Sequence, residues 1–312
     1  MPKMKIPFLQ PGDTIGICAT ARWVTEDQLQ PALDIFHRWG FKTKVMPQIF
    51  FQNGQLAGTD EDRIQGLLDC LTDPSIKAIV VARGGYGTVR VVDAIPQVVI
   101  RDNPKWLCGY SDITVLHNRW NNLGVPTIHS TMPISFPNAT PFALDQLRDA
   151  LTGQWRERNW SAKTNIKEQL EGVIVGGNLS VVYSQLGSCT QLETKGKILF
   201  LEDVDEMIYH LDRMLWGLKR AGLLDGIKGL LLGGFTQMKD NTQAFGFSTD
   251  NPWGSMVQDI FHELAHDLDI PIAFDFPAGH WEQNEAFYLG MNVKLLPQVD
   301  NSLTLSMDFP SV

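Results

Sequence analysis

Cysteine is scarce in this chain: Cys18, Cys70, Cys108 and Cys189 lie far apart among 312 residues, and no CxxC pair occurs. Cys18 and Cys108 fall inside apolar runs, which predicts buried thiols in a reducing cytoplasm rather than a disulfide framework. Basic residues are the minority, 26 against 35 acidic, for a net charge of -9. That balance argues against nucleic acid as a bulk partner and against an anionic membrane surface, and leaves room for a small anionic substrate at a local positive site. No long apolar run follows the charged start Met1-Pro2-Lys3-Met4-Lys5, so neither a signal peptide nor a transmembrane segment is expected. Internal repeats and low-complexity tracts are also missing.

With 44% hydrophobic and 20% charged residues, the chain has an ordinary globular composition and enough length for two domains. Thr14-Ile15-Gly16-Ile17-Cys18-Ala19 reads as a buried strand. Thr25 then caps a helix, with Gln28 in capping-box position, an apolar face of Leu29, Leu33 and Phe36, and a stop at Gly40. Phe41–Met46 reads as a second strand. Thr59 caps a helix carrying Ile64, Leu67, Leu68 and Leu71. Ala78-Ile79-Val80-Val81-Ala82 has the unbroken apolar character of a strand buried on both faces of a parallel sheet. This alternation predicts a doubly wound α/β domain over residues 1–150. A Pro-rich run, Pro133–Pro141, leads into a weakly periodic stretch, and residues 151–169 read as a linker. Residues 170–312 predict a second, β-rich α/β domain with strands at Val173–Val175, Ile198–Leu201 and Leu230–Leu232. It closes on an antiparallel pair, Phe287–Leu296 and Ser302–Met307.

The stretch Trp106-Leu107-Cys108-Gly109-Tyr110-Ser111-Asp112 runs from strand to turn to a helix read as Asp112–Leu123. Such a turn holds a hydroxyl at the lip of a parallel sheet, with the free N–H groups of the helix aimed at charge developing beside it. It resembles the Gly-x-Ser-x-Gly nucleophile elbow, although Ile113 replaces the second Gly. A Ser at such a junction also serves as a plain N-cap. Arg83-Gly84-Gly85-Tyr86-Gly87 follows the Ala82 strand end as either an oxyanion or phosphate cradle or a tight turn. It is neither GxGxxG nor a Walker sequence, which argues against a nucleotide. Leu201-Glu202-Asp203-Val204-Asp205-Glu206 ends another apolar strand. The run suits a helix start, while Glu202 is the acid best placed to orient a catalytic His. Phe274-Asp275-Phe276-Pro277-Ala278-Gly279-His280 supplies that His at the end of a further strand. Ser, Glu and His at strand ends converge where α/β proteins gather their ligand sites. A rival is His262-Glu263-Leu264-Ala265-His266, an HExxH match with Glu285 as a conceivable third zinc ligand. There the His pair flanks an amphipathic helix whose buried face is Val257, Ile260, Phe261, Leu264 and Leu268.

Together these segments resemble the serine LD-carboxypeptidases, the muramoyltetrapeptide carboxypeptidase family that includes the microcin C self-immunity peptidases. The resemblance runs from Gly12-Asp13 to Tyr288-Leu289-Gly290. Its motifs are Ala82–Gly87, Gly109–Thr114, Gly176-Gly177-Asn178-Leu179, Phe200–Asp203 with Tyr209, Asp212-Arg213 and Leu215, and Gly279-His280. It implies a flavodoxin-like N-terminal domain, a smaller β-rich C-terminal domain, a site between them and a homodimer. It implies Ser111 as nucleophile, His280 as general base and then acid, Glu202 orienting His280, and the N–H groups of Gly85 and Asp112 as oxyanion hole. Arg83, Tyr86 and Asn178 are the candidates for the substrate's terminal carboxylate. Two turns depart from the family: Ala19-Thr20 stands where Pro-Ser is usual, and His129-Ser130-Thr131-Met132 where His-Gly-Pro-Met is usual.

The expected activity is cytoplasmic cleavage of the L-centre–D-Ala bond of murein tetrapeptides in peptidoglycan recycling, with no cofactor and no metal. The alternatives are a microcin-C-type immunity peptidase acting on peptidyl-adenylates, a zinc peptidase through His262 and His266, and a ligand-binding module without turnover.

Overall fold

Local signals build the first elements. The apolar run Thr14–Cys18 forms β1, and Thr25 caps α1 (Glu26–Arg38) through a complete capping box with Gln28. A short strand, β2 (Lys42–Val45), precedes the small hairpin β3 (Gln52–Asn53) and β4 (Leu56–Ala57). Thr59 caps α2 (Asp60–Thr72) by the same device, with Asp62 as its reciprocal partner. Next come β5 (Ile76–Val81), α3 (Gln97–Asp102) and β6 (Trp106–Gly109). One 3-10 turn, Ser111–Ile113, separates β6 from α4 (Thr114–Asn122), so regular helix starts later than the pattern predicts. β7 (Thr127–His129) is followed by a 3-10 stretch over Pro133–Asn138 and by α5 (Pro141–Thr152), a helix the Pro-rich run did not announce.

The computed structural model describes residues 5–300 and 302–307. It divides into two units. One holds the chain up to Arg156 with Ser188–Gln191 and Glu282–Gly290; the other holds Glu157–Gly187, Leu192–Trp281 and the chain from Met291 on.

The second unit opens at β8 (Arg158–Ser161), inside the stretch read as a linker. Trp155 and Trp160 are buried, and the Trp160 indole donates to Phe274 O at 3.0 Å, so this weakly periodic segment is held by tertiary partners. Then follow β9 (Leu170–Asn178), α6 (Leu179–Ser184), β10 (Ile198–Val204), α7 (Ile208–Arg220), β11 (Gly229–Thr236), α8 (Val257–Leu268) and the two-residue β12 (Ile272–Ala273). The run Phe287–Leu296, expected as one strand, is two. The chain turns at Gly290, so β13 (Phe287–Leu289) joins β7 antiparallel in the first unit. Beyond the turn, β14 (Asn292–Pro297) pairs antiparallel with β15 (Ser302–Met307) in the second.

The first sheet has the order β13-β7-β6-β5-β1-β2, parallel except for β13. The five parallel strands run 2-1-3-4-5 when numbered among themselves, the flavodoxin-like order. The second sheet, β12-β11-β10-β9-β14-β15-β8, is parallel from β12 to β9 and antiparallel beyond. Its core gathers Val175, Leu199 and Leu230 from the strands with Leu211, Leu215 and Phe261 from the helices. Among the described residues no helix is long and apolar enough to cross a membrane.

Thr59→Ala removes the side-chain half of the α2 capping box, the hydroxyl that accepts from the Asp62 N–H, and leaves the reciprocal bond from the residue 59 N–H to the Asp62 carboxylate. The expected cost is about 1 kcal/mol, read as roughly fivefold faster hydrogen exchange at the first amides of α2.

Candidate active site

In the first unit, parallel strands bring their carboxyl ends to one edge, and the predicted residues Arg83, Gly85, Ser111 and Asp112 all follow such ends. Ser111 has φ 62°, a left-handed conformation that costs a side-chain-bearing residue roughly 1–2 kcal/mol. A strained Ser between strand and helix is the signature of an elbow that pushes Oγ outward. Two contacts hold the turn. The His117 imidazole bonds the carbonyl of Gly109 at 2.9 Å, and burial lowers its pKa to about 4, so it is neutral and Nε2–H donates. Asp112, nearly buried, accepts from the Thr88 N–H at 2.9 Å through Oδ2. That bond joins the Ser111 turn to the glycine-rich loop.

The loop itself lies against the turn. A Cβ on Gly84 would come within 3.6 Å of both Ser111 Cβ and Asp112 N. Gly85 has φ +109° and a Cβ there would strike Arg22 Nε at 2.6 Å, so only glycine fits. The far end of the loop is gripped by Arg63, wholly buried, whose Nη1 donates to Thr20 O at 2.8 Å and Gly87 O at 3.1 Å. Its charge is met by Asp60, which also binds Arg90. Of the residues considered for a substrate carboxylate, Arg83 donates to Trp23 O at 3.3 Å, while Tyr86 is half exposed.

In the second unit the pairing predicted from strand ends is present. Glu202, at the end of β10, is fully buried, and its Oε2 lies 2.7 Å from His280 Nδ1. Gly279 makes this approach possible: at φ +120°, a Cβ there would lie 3.0 Å from both Glu202 Cβ and Oε2. The carbonyl of His280 accepts from Thr236 Oγ1 at 3.0 Å, which pins the backbone from the other side. Phe274–His280 is irregular chain after the short β12 rather than a longer strand. Burial alone would lower the His280 pKa; the Glu202 charge, its hydrogen bond and the Asp203 charge outweigh it, so the imidazole titrates above its ordinary 6.5. With Nδ1 engaged by a carboxylate, Nε2 keeps the lone pair for base chemistry.

Asp203 is buried beside them, and burial, then the Glu202 charge, push its carboxyl up to about 7. It accepts from Asn178 Nδ2 at 2.8 Å, Ser180 N at 2.9 Å and Val204 N at 2.9 Å. Asn178, a candidate substrate contact, is nearly buried and turns its Oδ1 to Ser180 Oγ and Val181 N, the N-cap of α6. In α8, His262 and His266 are both exposed, as the amphipathic pattern implies. Glu285 belongs to the first unit, where Gln283 Nε2 donates to its Oε1 at 3.0 Å. No group of three His, Cys, Asp or Glu side chains suited to a metal ion occurs among the described residues.

Sequence reasoning passed over Arg63, His117 and Arg22. Arg63 was findable: with Gly66, Leu67, Cys70 and Leu71 it completes the buried face of α2, a charged residue inside a 3.6-residue apolar period. Nothing comparable marks Arg22.

Two outcomes follow from the Glu202–His280 geometry. In an NMR titration His280 takes up its proton above pH 6.5, and in Glu202→Gln, where burial is less opposed, the midpoint moves down. The sign carries to stability: the gain from charged His280 is complete below pH 6.5 and is lost as pH rises through the folded-state pKa. Gly279→Ala, which combines an unfavourable φ with a clash on Glu202, is expected to cost about 1–3 kcal/mol in thermal unfolding and to break the pair.

Residues 15–130 match the LD-carboxypeptidase N-terminal domain and residues 171–295 the LD-carboxypeptidase C-terminal domain. A probable murein peptide carboxypeptidase of Bacillus subtilis is 35% identical over 236 residues, 72% of each chain. The crystal structure of muramoyltetrapeptide carboxypeptidase from Oxalobacter formigenes superposes with a TM-score of 0.82 at 24% identity, covering 96% of this chain and 100% of that one. The microcin C7 self-immunity protein MccF shares the fold too, with a TM-score of 0.84 at 19% identity over 98% and 99% of the two chains. Matched in both halves by these domains and across most of its length by a relative of this identity, the chain belongs to the LD-carboxypeptidase family and is a serine-type carboxypeptidase.

Proposed function

We propose that the protein removes the terminal D-alanine from murein tetrapeptides by acyl transfer through a Ser111–His280–Glu202 triad. The observation that carries the reading is the 2.7 Å hydrogen bond between a fully buried carboxylate and His280 Nδ1. A cell buries such a charge at a cost, and an imidazole oriented as a base is the return on it. The strained Ser111 and the neighbouring N–H of Asp112 support the same reading from the first unit.

In the proposed reaction His280 Nε2 takes the Ser111 proton as Oγ attacks the carbonyl of the L-centre–D-Ala bond. The tetrahedral oxyanion accepts from the N–H groups of Gly85 and Asp112. The C–N bond breaks, His280 returns its proton to the departing amine, and D-alanine leaves. Water, deprotonated by His280, then attacks the acyl-enzyme and frees Ser111. Glu202 accepts from His280 Nδ1–H, fixes the ring's orientation and stabilises the imidazolium. Substrate peptides of this class arise in wall recycling, so the proposal includes a cytoplasmic setting, and it includes the homodimer implied by the family resemblance. The B. subtilis relative carries a murein peptide carboxypeptidase name, which favours a murein peptide over a peptidyl-adenylate.

Mass spectrometry of an L-Ala-D-Glu-diaminopimelate-D-Ala digest tests this. Wild type is expected to release one D-alanine with or without chelator, and Ser111→Ala to be slower by at least about a thousandfold. Cleavage that persists in Ser111→Ala and stops with chelator would overturn the serine mechanism.

A further inference from the structure

Three arginines of this protein meet carboxylates: Arg63 and Arg90 share Asp60, and Arg148 binds Asp145 and Asp149. Arg22 and Arg83 do not. They follow the carboxyl ends of the paired strands β1 and β5, and neither forms an ion pair among the described residues. Arg22 Nε is buried without a hydrogen-bond partner, and among the described residues the one side-chain hydrogen bond of Arg83 runs from Nη1 to Trp23 O at 3.3 Å. The two guanidiniums are near enough to repel: after burial, the charge of Arg22 is what lowers the Arg83 pKa. Asp112 lies within electrostatic reach of Arg22, yet its Oδ2 is given to Thr88 N–H and no ion pair forms. Two half-buried like charges without a counter-ion are costly unless an anion completes them.

Their position names the anion. The stem of Arg22 crosses Gly85, where a Cβ would lie 2.7 Å from Cδ and 3.2 Å from Cγ. Gly85 is the residue proposed to donate its N–H to the oxyanion. In a peptide substrate, three covalent bonds separate the attacked carbonyl carbon from the terminal carboxyl carbon, a span under about 4 Å. A cation in contact with Gly85 is therefore at the spacing that a single terminal residue demands.

We propose that Arg22 and Arg83 form a guanidinium clamp for the free α-carboxylate of the substrate's last residue. The proposal rests on the carboxypeptidase reading and makes Arg22 the residue that restricts the enzyme to chain ends. A substrate continuing past that residue would put a neutral peptide group against two unpaired cations, and would be rejected.

The test compares the tetrapeptide acid with its C-terminal amide. Wild type is expected to favour the acid by about 100-fold or more in kcat/KM. In Arg22→Ala that ratio falls at least about tenfold through a raised KM for the acid, with Arg22→Lys between the two. A ratio left unchanged in both Arg22→Ala and Arg83→Ala, with acid and amide slowed alike, would make the arginines structural and overturn the clamp. If wild type cleaves neither peptide, the carboxypeptidase reading fails by itself, and calorimetry with N-acetyl-D-alanine and N-acetyl-D-alaninamide decides the clamp. Binding of the acid alone, lost in Arg22→Ala, sustains it; equal or absent binding of both overturns it.

Discussion

A carboxylate with no access to water stands near the end of β10, and the chain around it is shaped by its contact with His280. Glu202 has one hydrogen-bond partner on Oε2, the Nδ1 of His280. For the ring to reach it, residue 279 must lack a side chain, and the chain between β12 and His280 must leave the sheet's regular path. Asp203, the next residue, is buried as well, and it stays paired by accepting from Asn178 and from two backbone amides. Adjacent residues of one strand point to opposite faces, so one carboxyl faces the imidazole and its neighbour fastens the start of α6. The same acidic pair thus holds an imidazole on one side and a helix start on the other.

The first unit solves the opposite problem, a buried cation. Arg63 holds two backbone carbonyls and is balanced by Asp60, so the glycine-rich loop, although rich in conformational freedom, is fastened at Gly87 and Thr88. Asp112 fastens the same loop to the Ser111 turn. A loop that is to offer an N–H to an oxyanion has to be rigid before the substrate arrives, because reorganisation during the reaction would consume the stabilisation it provides. Arg22, lying over Gly85 with no acid of its own, is the part of this assembly left open to a ligand.

The departures from the expected pattern share a cause. The residues 151–169 show little periodicity because their order comes from distant partners, such as the Trp160 indole on Phe274 O. Phe287–Leu296 reads as one apolar run, but strands in different sheets can share one run when a turn-forming residue, Gly290, lies inside it. Asn178, a candidate for the substrate carboxylate, caps α6 through Oδ1 and donates Nδ2 to Asp203, partners that only the packed structure supplies.

What could be read from residue order alone was governed by neighbours within a turn or two: the capping boxes at Thr25 and Thr59, the apolar strands, the doubly wound order of the first half, and the positions of Ser111 and Glu202 toward strand ends, whereas the strand expected to end at His280 is irregular chain. Each depends on spacing of one to four residues or on an unbroken run, and such signals survive without knowledge of the rest of the chain. Partner choice was left to the tertiary structure. That Glu202, among four neighbouring acids, meets His280 78 positions away, that Arg63 is inside, and that Arg22 lies across Gly85 without a counter-ion are consequences of burial. A charge is expensive only once water is excluded from it, and which charges lose their water is decided when the elements pack.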